Sequence, residues 1–256
     1  GEEQYVWMSG FNGRRTTLGG KGAGLMGAGA PINDGQWHHA VVTLDTTQHA
    51  AIWVDGECVA KQTLHLAPPR SYPTVTVGCS PFRDPMDDPD ELFDGAVDEV
   101  ALWGMVLRED HVQALYGQGF PDRGGTAGAV AARHLRALWY FDSASIRAGE
   151  VYDATGHGMT LQLHGGARAA RPGQEAILRQ LSDTEEDDDG SLPLVDFIPK
   201  RTVGAVRQAL AFDGRHGQYL HTPGNPELEL SSTCTVALWV RLPPQAGFVP
   251  LVAWGG

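Results

Sequence analysis

Asp94, Asp98 and Glu99 are the first residues whose type and spacing could carry chemistry, because retaining glycoside hydrolysis uses two carboxyl groups about 5–5.5 Å apart. The spacing argues against it. On a strand Asp98 and Glu99 face opposite sides, and Asp94 and Asp98 stand roughly 13 Å apart at about 3.3 Å per residue. Asp94 also belongs to Phe93-Asp94-Gly95, which reads as a turn in which Asp bonds nearby backbone. His38-His39 invites a metal, but neighbours on a strand cannot share one ion, and one of the two is expected in the core. His157, His164, His216 and His221 are scattered among loops and strand ends without a carboxylate-backed pair. No Gly-x-Ser-x-Gly elbow occurs, and the glycine-rich stretch from Gly19 to Gly29 lacks the Lys-Ser/Thr ending of a phosphate loop, so it reads as a loop between strands. No catalytic or cofactor-binding residue is assigned, and the expectation is a protein that is not an enzyme.

The elements that would position these residues are strands. Asp55-Gly56 tolerates the positive φ angles of a two-residue hairpin turn and joins His49–Val54 to Glu57–Lys61. Gln36–Asp45, Val75–Cys79 and Ala96–Trp103 carry the β-branched and aromatic content of further strands. Beyond them, Leu135–Phe141, Thr160–Leu163, Gln208–Phe212, Gln218–His221 and Thr233–Leu242 read the same way. The one helix expected is Arg108–Tyr116, with Val112, Leu115 and Tyr116 on one face and acidic Glu109 and Asp110 in its first turn. The fold class is all-β: an antiparallel β-sandwich with one short helix capping it. Residues 120–133 have linker composition, separating 1–119 from 134–256. The acidic run within 182–190 (SDTEEDDDG) cannot bury enough apolar surface to order itself and is expected to be a mobile loop.

Composition narrows the partners. With 42% hydrophobic and 20% charged residues the chain can bury a core, and its net charge of −12 disfavours nucleic acid and anionic membranes, which select basic faces. No apolar run approaches the roughly 20 residues that span a bilayer, so membrane insertion is not expected. Three cysteines, Cys58, Cys79 and Cys234, can form at most one bridge, and Cys234 sits on a strand face with Val236 and Leu238 as a small buried hydrophobe.

Four ordered motifs now take on meaning together: Asn33-Asp34-Gly35-Gln36-Trp37-His38-His39, Ile52-Trp53-Val54-Asp55-Gly56, Phe93-Asp94-Gly95-Ala96-Val97-Asp98-Glu99, and the helix ending Ala114-Leu115-Tyr116. They resemble the latter half of a laminin-G-like domain of the concanavalin A-like lectin/glucanase superfamily, whose jelly-roll sandwich is the fold implied. Leu138-Trp139-Tyr140-Phe141-Asp142, Asp153 to Gly158, Ala209 to Gly214 and Thr235 to Val240 resemble the first half. The halves stand in inverted order. Either 1–119 and 134–256 belong to successive domains of a tandem array, or the chain is one circularly permuted sandwich with adjacent ends; the Gly/Ala stretch between them favours the array.

The resemblance implies a structural or interaction module of a larger, repeat-containing protein in a filament, cell-surface or ciliary assembly. Other protein chains, neighbouring repeats or glycans would be its partners. The Glu-x-Asp-x-x-Glu stretch of the family's hydrolases is missing. Some members of the family bind calcium at the sandwich rim, which implies Asp98, Asp142 and Asp213 as metal ligands and a calcium-dependent lectin as the alternative function. Most tryptophans (Trp37, Trp53, Trp103, Trp139, Trp239) lie inside strand patterns, as core residues do, rather than on a sugar-stacking surface.

Overall fold

The computed structural model describes residues 5–11, 15–20, 23–26, 31–65, 74–79, 92–120, 134–142, 144–164, 194–197, 207–214, 218–225, 228, 233–244 and 249–255. The N-terminal segment contributes β1 (Tyr5–Phe11), β2 (Arg15–Gly20), β3 (Ala23–Met26), β4 (Trp37–Leu44), β5 (His49–Val54), β6 (Glu57–Thr63), β7 (Thr74–Val77), β8 (Asp94–Trp103) and α1 (Glu109–Gln118). The C-terminal segment contributes β9 (Leu135–Trp139), β10 (Ile146–Arg147), β11 (Glu150–Val151), β12 (Leu161–His164), β13 (Leu194–Phe197), β14 (Arg207–Asp213), β15 (Tyr219–His221), β16 (Cys234–Arg241) and β17 (Val249–Gly255).

These strands form two antiparallel sheets, a nine-stranded one in the order β10-β11-β12-β15-β7-β17-β1-β2-β3 and an eight-stranded one in which β13-β14-β8-β16-β4-β5-β6 run in line and β9 also pairs with β8. The expected all-β sandwich with one short helix is the fold found. The hairpin turn is as expected too: Asp55 and Gly56 have φ of 52° and 83°, the pair of positive values that a type I′ turn requires.

The two segments do not occupy separate cores. β16 lies between β4 and β8, with Ala237 opposite both Val41 and Ala101, and β17 lies between β7 and β1, with Tyr5 opposite Gly255. One apolar cluster between the sheets joins Val42, Ile52, Val77 and Leu102 from the first segment to Trp139, Leu210, Val236, Leu238 and Trp254 from the second. In this chain the segments complete a single sandwich, contrary to the array expectation. The physical reason is edge satisfaction: each segment alone would leave a gap in the middle of both sheets, with unpaired backbone and an apolar face in water.

Burial explains the strand sequences. The outer face of the eight-stranded sheet is also covered, since Val41, Trp53, Trp103, Ala237 and Leu138 pack with Val112 and Leu115 of α1 and with Phe120. A strand buried on both faces needs an unbroken apolar run, as β16 has, rather than alternation. Each fully buried large side chain contributes about 1.5–3 kcal/mol. In the nine-stranded sheet Leu220 is buried between half-exposed Tyr219 and His221, whereas Thr76 and Ala253 on that same outer face are buried, so the face is accessible at β12 and β15 and covered at the centre of the sheet.

Three readings need correction. The stretch Gly19–Gly29 holds strand: β2 ends at Gly20 and β3 spans Ala23–Met26, paired through Gly19 and Gly24, because the backbone ladder needs no side chain. Asp94-Gly95 is not a free turn but the start of β8, where Asp94 and Gly95 pair with Asp213 and Phe212. Phe120, assigned to the linker, is buried and stacked 6.0 Å from Trp103. Residues 121–133 and the acidic run 182–190 lie outside the described residues, and β13, Leu194–Phe197, was not foreseen.

Candidate functional site

The acidic residues are placed by a change of partner along one edge of β8. Asp94–Val97 pair with Asp213–Leu210 of β14, whereas Val100–Trp103 pair with Trp139–Leu135 of β9. Asp98 and Glu99 fall between the two ladders. On the other edge the register with β16 slips at the same point, and Glu99 has a φ of 49°, so one extra residue is accommodated in a bulge. Both side chains are only 2% exposed, and Asp98 Oδ1 accepts the Glu99 N–H at 2.7 Å.

Asp142 follows β9, and its carbonyl accepts the Ser145 N–H at 2.9 Å and the Ser145 hydroxyl at 2.8 Å. Asp213 closes β14 opposite Asp94, and its side chain lies outside the described residues. Among the described residues no group of three or more His, Cys, Asp or Glu stands where it could hold a metal ion. Asp98, turned into the backbone of its own strand, does not fit the role of an open calcium ligand. The neighbouring Asp153 is an anchor: its carboxylate accepts N–H groups of Leu138, Thr155 and His157, tying the 153–158 turn to β9.

The adjacent histidines diverge, as strand geometry requires. His39 is buried against Trp239, with ring centroids 5.1 Å apart. His38 points the other way, with Nδ1 2.8 Å from Asp55 Oδ2 and Nε2 3.1 Å from Asp34 Oδ1. Burial alone would depress its pKa, but the bonds to the two carboxylates outweigh burial and raise it. The arrangement fastens the β5–β6 turn to the loop before β4. That loop in turn docks on the second segment through Gly35, whose N–H donates to the Leu242 carbonyl at 3.0 Å and whose carbonyl accepts Arg241 Nε–H at 2.8 Å.

Sequence reasoning missed the cluster on the outer face of the nine-stranded sheet at β12 and β15. The ladders set Gln162 opposite His221 and His221 opposite Thr76, while His164 stands opposite Tyr219. The His164 and Tyr219 rings stack with centroids 4.4 Å apart, and His221 approaches His164 edge-on at 6.3 Å. Burial holds the His164 imidazole below the usual histidine range, and burial together with His164 does the same for His221. Both rings are therefore neutral at pH 7, each with one donor and one acceptor nitrogen. Thr76 is 7% exposed and its buried hydroxyl has no hydrogen-bond partner. The result is a surface of uncharged groups that both donate and accept, beside aromatic rings. Nothing in the local pattern revealed it, because the histidines come from different strands and meet only through the β12–β15 register.

Comparison with known proteins agrees with the sandwich. Residues 5–113 match the family model of the concanavalin A-like lectin/glucanases superfamily. The matched stretch runs from β1 into α1, and β9, β14, β16 and β17 pair with its strands in the same two sheets. The search of curated proteins and the search of solved structures each returned no match. The match covers 109 of the 256 residues, and the superfamily it names contains lectins and glucanases.

Proposed function

We propose that the chain is a non-catalytic interaction module of a larger assembly and that it binds through the outer face of the nine-stranded sheet at β12 and β15. The observation that carries this reading is the cluster that the β12–β15 ladder assembles, Gln162 opposite His221 and His164 stacked on Tyr219. Among the described residues the outer face of the eight-stranded sheet is covered by α1 and Phe120. Asp98 and Glu99 support the non-catalytic reading, since both are buried within β8 and not poised across a cleft.

A filament, cell-surface or ciliary setting, with other chains or neighbouring repeats as partners, fits such a module. A second reading, a lectin, is favoured by the same cluster: rings beside neutral amide, imidazole and hydroxyl groups suit a sugar better than a charged ligand. The test is to screen the intact chain against glycan and protein arrays and to compare it with a His164→Ala, Tyr219→Ala double variant. The expected result is a ligand lost by the variant at unchanged melting temperature. Binding that survives the double change would move the site elsewhere, and robust hydrolysis of a β-glucan would overturn the non-catalytic assignment.

A further inference from the structure

The β12–β15 ladder sets two titratable rings beside each other on the proposed binding face. Directly opposed residues of an antiparallel pair share a face, so Arg147, Glu150, Gln162, His221 and Thr76 form one row across β10, β11, β12, β15 and β7, with His164 and Tyr219 in the next row. His164 lies parallel to Tyr219, with 4.4 Å between centroids and 4° between planes, while His221 meets it edge-on at 6.3 Å. Besides the two histidines, Glu150 and Arg147 are the charged or titratable described residues that β10, β11 and β12 bring to this face, and β7 and β17 bring none. Beneath the rings Leu161 and Leu220 are fully buried, so the core holds these strands together whatever charge the rings carry.

Two charges this close on a half-exposed face repel, and protonation of one ring weakens proton binding by the other about 10- to 100-fold. The first proton has a preferred site. An imidazolium over the Tyr219 face gains a cation–π attraction that the edge-on His221 lacks, and Glu150 stands diagonal to His164 but two strands away from His221. We propose that the face is an acid-operated switch: a single proton settles on His164, and a ligand held through that ring's acceptor nitrogen is released. Protonation turns the acceptor into a second donor, so the hydrogen bond it received has no counterpart. Burial holds the His164 imidazole below 6.5, and burial together with His164 does the same for His221, which places the change on the acid side of neutrality. The release step rests on the reading of this face as the binding site, whereas the order of protonation does not.

The test follows the histidine ring resonances of the intact chain by nuclear magnetic resonance as pH falls, in wild type and in His164→Gln. In wild type His164 should titrate first and His221 in a separate, more acid step. In His164→Gln the uncharged amide removes the repulsion, and His221 should bind its proton about 10- to 100-fold more tightly. A second arm repeats the glycan and protein arrays at about pH 7 and about pH 5. A signal that the His164→Ala, Tyr219→Ala double variant lacks should be present at the first pH, disappear at the second and return on neutralisation. His221 titrating first, or a His221 midpoint unmoved by His164→Gln, overturns the switch and leaves the binding reading intact. So does a signal sensitive to the double change that persists once the resonances show His164 protonated. Arrays that show no such signal at neutral pH overturn the binding reading and release with it, while the two-step titration still decides the order of protonation.

Discussion

His38 Nδ1 lies 2.8 Å from Asp55 Oδ2 while its other ring nitrogen faces Asp34, so both nitrogens must carry a proton for both bonds to form. The protonated ring is thus the form that fastens the β5–β6 turn to the loop docked on Arg241 and Leu242.

A pH dependence with a defined sign is expected from this contact. The folded His38 pKa lies above its ordinary 6.5, so its contribution is fully present below that value and is lost as pH rises through the folded pKa. Asp34 and Asp55, where burial is outweighed by hydrogen bonds, lie below 3.8 and lose theirs only as pH falls through their folded pKa values. His38→Gln should cost about 1–3 kcal/mol near pH 6 and progressively less at alkaline pH. His164 and His221, with depressed pKa values, act in the opposite direction, so the difference between wild type and variant across denaturant melts at several pH values is the relevant quantity. A difference that grows with pH would contradict the contact.

Gly95 is expected to be intolerant. A Cβ there would stand 2.5 Å from the Arg241 carbonyl oxygen and 2.9 Å from the Phe93 ring, on a backbone with φ of +151°. Gly95→Ala should destabilise by about 1–3 kcal/mol through overpacking against backbone that cannot swing away. Gly149→Ala is the control, with open space around its Cβ and φ of +81°, and should cost about 1 kcal/mol from the left-handed backbone alone. Chemical denaturation of the two variants side by side tests the order.

Calcium can be examined through the residues first implied for it. Saturating a site on Asp142 or Asp213 would raise the melting temperature by mass action, and chelator would reverse it. For Asp98 the expected outcome is independent of calcium: Asp98→Ala removes the acceptor of the Glu99 N–H and should cost about 1–3 kcal/mol with calcium or with chelator alike. Superimposable wild-type melts in the two conditions would remove calcium from the description of this protein, and a calcium-dependent Asp98→Ala effect would restore Asp98 as a ligand.

Joining the ends should be tolerated. Because Tyr5 is paired with Gly255, linking Gly256 to Gly1 leaves only Gly256 and Gly1–Gln4 to close an antiparallel hairpin, a common loop length. Opening the joined chain between 121 and 133 then gives the motif order that the family resemblance implies. The rearranged protein should keep the near-ultraviolet spectrum of its buried tryptophans and melt within a few degrees of the original, a shift of about 1 kcal/mol. Loss of cooperative melting would show that the paired β17 and β1 cannot be joined as the ladder implies.

The residues that declared themselves in the sequence did so through local physics. Asp55-Gly56 announced a turn because few residues accept positive φ, and α1, expected at Arg108–Tyr116, is found at Glu109–Gln118 because its apolar spacing and acidic first turn act within one element. The placement of β16 between β4 and β8 had no such signature, since an apolar run states that a strand is buried on both faces but not which strands flank it. The Phe93-Asp94-Gly95 motif read as a local turn, and Phe212-Asp213-Gly214 repeats its pattern. They prove to meet across the β8–β14 ladder, with Phe93 and Phe212 edge to face at 5.1 Å, a relationship that no single window of sequence contains. The His164, Tyr219 and His221 face was hidden for the same reason, whereas His38 and His39 were correctly separated because adjacent strand residues diverge whatever the tertiary structure.

The central seat of β16 also sets a timetable. A ribosome delivers β4 and β8 well before Cys234–Arg241, so during synthesis neither sheet can close, and both gaps stay open while more than a hundred further residues are made. The first segment cannot reach a finished core on its own while it waits. Within this chain the closing of both sheets is deferred to the second segment, so the edges of β4 and β8 that β16 will cover are the last to be paired.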